Sequence, residues 1–171
     1  MPDVAPFVPT PDQILEACMR YALTGFSRMG DGGGSVGRET AIDKVRFEFI
    51  AGHEARQIGV GLLFWDGREE ANEERLAFFT GNGREQAIKD RFAAGLPGMG
   101  PPEGTWHTGQ AAGAPWRSLA FLLEPYIEVD QRWPDPDQVR RQRNLTRMME
   151  AMRILMAAVD PILREYCAAR H

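Results

Sequence analysis

The sequence predicts an α+β fold: an antiparallel sheet with an N-terminal helix, a short middle helix and a long C-terminal amphipathic helix packed mainly on one face. Three observations point there. Val45, Phe47 and Phe49 alternate with Lys44, Arg46 and Glu48, the two-residue period of a strand with one wet face. Ile58, Val60, Leu62 and Phe64 repeat that period, while Leu63 and Trp65 make the other face apolar too, as in a central, covered strand. From about Gln138 onward, Leu145, Met148, Met149, Met152, Leu155, Met156, Val159, Ile162, Leu163 and Tyr166 fall within an arc of about 140° when each residue advances about 100°, which is one amphipathic helix. Strands and helices in runs, without a regular βαβ alternation, give the α+β class.

In chain order, residues 1–9 read as a flexible tail and residues 10–171 as one domain, since no repeat or compositional step divides them. Thr10-Pro11-Asp12-Gln13 supplies an N-cap, a proline at the first helical position and a glutamine three residues after the cap. Ile14, Leu15, Cys18, Met19, Ala22 and Phe26 carry the helical period on to about Met29-Gly30. The first two strands follow, joined by a turn over residues 51–57, and the second stops at Asp66-Gly67. Residues 66–74 read as a solvated acidic turn, and Leu76 to Phe79 as a third hairpin strand in preference to the end of a short helix. Asn82-Gly83-Arg84-Glu85 opens a short helix with Ala87, Ile88 and Phe92 on its buried side. Residues 95–116 are rich in Gly and Pro and read as a long loop or a lid. A further strand is expected from Leu119 to Val129, with Pro125 marking an edge or a bulge. In the last helix Pro161 predicts a kink or a break, with Asp160 as a new N-cap.

Composition narrows the function classes. The apolar fraction is 43% and the charged fraction 26%, which is a globular balance rather than a disordered one. The first residues hold an acid and three prolines where a secretory leader needs a basic start and an apolar block, so a cytoplasmic, membrane-free protein is expected. A formal charge of −4 gives no electrostatic reason to expect nucleic acid. All but two of the twenty basic residues are arginine, the exceptions being Lys44 and Lys89; with abundant Ala, Gly and Pro this suggests a GC-rich genome, and a bacterial or phage origin. Arginine clusters must be discounted accordingly. Cys18 and Cys167 lack metal or redox spacing and read as buried thiols.

Residues 31–40, DGGGSVGRET, look most like machinery. Gly32, Gly34 and Gly37 match a GxGxxG spacing, but a helix precedes them and a strand follows, the reverse of the strand-to-helix order that points N–H groups at a phosphate. They read as a connection. His53, His107 and His171 have no second ligand at metal spacing, so neither a metal nor a cofactor is expected.

The leading expectation is a non-enzymatic accessory or protein-interaction domain, self-associating as a homodimer or binding a partner through its C-terminal helix. Met148, Met149, Met152 and Met156 are the expected oligomer interface, because the helix looks too long for the sheet to cover. Arg140, Arg143 and Arg147 share the opposite arc and are expected to meet an acidic partner or phosphate. An alternative is a small-molecule enzyme or binder whose 95–116 loop closes Trp106, His107, Gln110 and Trp116 over a pocket in the sheet. A further alternative is nucleic-acid binding through the arginine face.

Overall fold

The capping box at the start of the chain forms as the sequence requires. Thr10 accepts the Gln13 N–H, the Gln13 side chain accepts the Thr10 N–H, and Pro11 occupies the first turn of α1 (Pro11–Arg20). A computed structural model describes residues 7–30, 33–52, 55–96, 103–111, 114–128 and 131–170. After α1 come β1 (Ser27–Met29), β2 (Ser35–Glu39), β3 (Val45–Gly52), β4 (Gln57–Phe64), α2 (Glu69–Thr80), α3 (Arg84–Gly95), β5 (Thr105–Ala111), β6 (Ala114–Leu123) and α4 (Pro136–Ala168).

The strands form one six-stranded antiparallel sheet in the order β1-β2-β3-β4-β6-β5. Register divides it into two faces, because residues directly opposite each other share a side. Val36, Phe49, Val60 and Phe121 stand in one such row. With Phe47, Leu62, Phe64, Leu119 and Leu123 they form the sheet half of a single core that all four helices complete. Phe79 of α2 meets Phe64 edge-on at 5.2 Å, Phe92 of α3 stacks on Phe121 at 4.2 Å, and Cys18 Sγ of α1 lies 3.9 Å from Met149 Sδ of α4. The helices therefore lie on one face, as expected for this class.

Several local expectations are corrected. α1 ends at Arg20, not near Met29, because Ala22 turns left-handed (φ 57°) and the Leu23 N–H reaches back to the Cys18 carbonyl at 2.9 Å, a Schellman closure. Phe26, beyond the helix, packs at a tilt against Phe49, their ring centroids 5.1 Å apart. Residues 69–80 form a helix instead of a turn and a strand: Glu69 and Glu70 favour a helix N-terminus, and Asn72 and Phe79, one buried side seven residues apart, set its period. The 95–116 loop contains β5 and the start of β6, paired from Thr105↔Ala120 to Ala111↔Ala114. β6 stops at Leu123, two residues short of Pro125. α4 continues unbroken through Pro161; Ala157, whose carbonyl would have accepted the missing N–H, is exposed, so water can take that bond. Of the expected tail, Phe7, Val8 and Pro9 are buried, and residues 1–6 lie outside the described residues.

Candidate functional site

The methionines fill the core. Met148, Met149 and Met152 are 0% exposed in the single chain and Met156 is half-buried, so three of the four methionines expected at an interface lie in the core. The expected interface is corrected on that ground: the inserted α2 and α3 enlarge the layer that covers α4, with Phe79, Ile88 and Phe92 in the same core cluster. Arg140, Arg143 and Arg147 do not form a free cationic face either. Arg140 pairs with Asp137 and donates to the Ile127 carbonyl, Arg143 lies 4.5 Å from the Tyr126 ring centroid and 5.1 Å from that of Trp133, and Arg147 donates to the Glu124 carbonyl at 2.7 Å. Together they fasten the segment between β6 and α4 to the helix.

The four residues assigned to a lid belong to strands and do not converge. Trp106 and Gln110 project from the helix-covered side of β5, whereas His107 and Trp116 stand on the other side. Trp106 packs beside Phe64 and donates its Nε1–H to Glu85 of α3; His107 Nε2 sits 3.0 Å from Thr105 Oγ1. His53 and His171 lie outside the described residues. Among the described residues no group of three or more His, Cys, Asp or Glu is placed to hold a metal ion, and no helix is long and apolar enough to cross a membrane. Both cysteines are free thiols, and burial pushes Cys18 up to about 11, keeping it protonated at neutral pH. Of the glycine stretch, Asp31 and Gly32 lie outside the described residues; Gly34 precedes β2 of the β1–β2 hairpin, Gly37 lies within it, and Gly30 and Gly33 have positive φ. The stretch leads into no helix N-terminus.

What the fold assembles instead is the helix-free face of the sheet. Its rows can be read from the register. Ile50, Gly59 and Leu122 form one; Gly37, Glu48, Gly61, Ala120 and Thr105 the next; Glu39, Arg46, Leu63, Ser118 and His107 the third; Trp65 and Trp116 stand beyond. Leu63 and Ala120 are buried yet lie outside the core cluster that the helices complete. In the middle of this face glycine lets neighbouring groups pack directly against the strand. A Cβ on Gly61 would lie 2.9 Å from Ser118 Oγ, and one on Gly59 only 2.5 Å from the Phe121 carbonyl oxygen. Trp116 lies flat over Gly109, where a Cβ would come within 2.4 Å of its ring.

Two opposite charges stand on this face. The Ser118 hydroxyl donates to Glu48 Oε1 at 3.1 Å, but desolvation dominates and pushes the Glu48 carboxyl above its ordinary value, with the Ser118 bond and the Arg46 charge opposing. Arg46 lies over the Trp65 ring at 5.2 Å, and its Nε is buried with no hydrogen-bond partner among the described residues. Sequence reasoning missed this pair. The available signal was the Gly-x-Gly of Gly59 and Gly61 inside an apolar strand, since strand glycines mark places where another group comes close. No family model, characterised protein or solved structure matches the chain.

Proposed function

We propose that the chain is a non-enzymatic interaction module that assembles with a second copy of itself through the helix-free face of its sheet. One observation carries the reading: Arg46, whose Nε is buried with no hydrogen-bond partner among the described residues, and Glu48, whose carboxylate accepts the Ser118 hydroxyl, stand two residues apart on that face of β3. A twofold axis in the plane of the interface, crossing the strands at Phe47, would bring each Arg46 over the partner's Glu48. Such self-complementarity is what an isologous contact needs, and pairing would offset the desolvation that each group suffers alone. Sheets stacked about 10 Å apart would let Ile50, Leu122, Trp65 and Trp116 close an apolar rim around the charges.

Sedimentation equilibrium at micromolar concentration is expected to give twice the chain mass for the wild type. Leu122→Arg alters a half-buried position on this face and should give a folded monomer. A wild type that stays monomeric, or a Leu122→Arg protein that stays dimeric, overturns the reading.

The pH response has a definite sign. A partner arginine lowers the carboxyl pKa in the assembly relative to the lone chain, where burial raises it. Assembly is therefore favoured above the lone-chain pKa and weakens as pH falls through the lower, assembled value. Glu48→Gln is expected to abolish that acid dependence. Glu39 on β2 and His107 on β5 stand in the neighbouring row with Arg46, so His107→Gln serves as the control and should leave the acid dependence intact.

A further inference from the structure

We infer that the groove between the β2–β3 turn and the C-terminal half of α4 is a binding site for a small amphipathic anion, an alkyl chain ending in a carboxylate. The groove holds a cavity of about 350 Å³, within the range of small-ligand sites. It exists because the sheet outruns its cover at this corner. β1 pairs with β2 only over Ser35 to Gly37, and α1 has ended at Arg20, so the end of β2 and the turn after it face the C-terminal half of α4 across a groove. Phe47 of β3 and Met156 and Leu163 of α4 supply an apolar lining.

Charge selects the occupant. Arg38 lines the cavity, and its side chain makes no ion pair or hydrogen bond among the described residues, although the residue is half-buried. Its side chain passes close to Gly25, where a Cβ would come within 3.2 Å of Nε. Across the cavity Arg164 is tied to Asp160 at 2.9 Å, with the two side chains 80% and 49% exposed, a pair loose enough to admit a second carboxylate. Glu39, also at the rim, projects its side chain from the opposite face of β2. The Thr40 hydroxyl is already engaged with the Val45 carbonyl at 2.7 Å. An unpartnered guanidinium above an apolar lining calls for a ligand with an anionic head and a hydrocarbon body.

Titration calorimetry on the full chain tests this with three probes of one chain length: decanoate, decanol and decyltrimethylammonium. Decanoate is expected to bind roughly tenfold or more tightly than decanol, as a charge-assisted contact in a partly dry site allows, and the cation not to bind. Arg38→Gln should reduce decanoate to the decanol level. Ala41→Trp, at an exposed position on the rim, should exclude both without altering charge. Absence of decanoate binding, equal affinity for all three probes, or undiminished binding to Arg38→Gln overturns the assignment. The groove lies on the helix-covered side of the sheet, so Leu122→Arg should retain decanoate binding whether or not the chain self-assembles; loss of binding in that variant would move the ligand to the open face and reject the groove.

Discussion

Met152→Glu is expected to destroy the native fold instead of releasing a folded monomer. Met152 is 0% exposed and sits in the core with Met148, Met149 and Leu155, all at 0%. A carboxylate there either loses its hydration without a partner or takes up a proton at the cost of a large pKa shift, and in both cases the bulk and polarity disrupt close packing. The loss should be about 4 kcal/mol or more, a large fraction of the 5–15 kcal/mol typical of a whole domain. Thermal melts followed by circular dichroism check it, with Met152→Leu as the conservative partner, expected to cost less than about 1.5 kcal/mol. A cooperatively folded, monomeric Met152→Glu protein would return the methionine stripe to the role of an interface. That outcome separates it from Leu122→Arg, where folding is retained and only assembly is lost.

Asn144→Ala should produce the second large effect. Asn144 is 0% exposed, and its amide joins three segments at once: Oδ1 accepts the Tyr126 N–H at 2.7 Å, while Nδ2 donates to the Phe7 carbonyl at 2.8 Å and the Tyr126 carbonyl at 3.1 Å. Alanine leaves these main-chain groups without their partner, and the expected loss is about 2–4 kcal/mol. A local readout distinguishes this from ordinary core damage. Amide exchange at Tyr126 should accelerate well before global unfolding, because the segment after β6 is held to α4 by this amide and by the three arginines. An unchanged Tyr126 exchange rate would show that the arginine contacts alone hold the segment. Asn144→Asp is expected to be at least as damaging, since it keeps the acceptor but turns both donated bonds into contacts between oxygens.

The parts of the fold that were legible share one property: their signal is local. The α1 capping box spans four residues, the β3 and β4 alternations eight each, and the apolar arc of α4 repeats within every turn. The errors fall where local signals compete. Leu76 to Phe79 is a short apolar run that suits a strand or a helix, and only the contacts of Phe79 with Phe64 and of Phe78 with Tyr166 decide for the helix. Glycine and proline around residues 95–116 masked β5, because their punctuation outweighed the Thr105-Trp106-His107-Thr108 run between them. Ala22 ended α1 early in a conformation that glycine usually supplies, and no glycine stood there to announce it.

The candidate sites were less legible for a different reason. Met148, Met149 and Met152 were identified correctly as one apolar face, and Arg140, Arg143 and Arg147 as one charged arc, but what those surfaces touch is set by residues far away in the chain. By itself the sequence determined the α+β class, the start of α1, the two central strands and the amphipathic rod at the end, all of which follow from backbone periodicity and capping. Tertiary structure alone decided that the rod's methionines are core, that its arginines clamp the preceding segment, and that Arg46 and Glu48 share an open face, because burial and pairing depend on what folding brings opposite a residue.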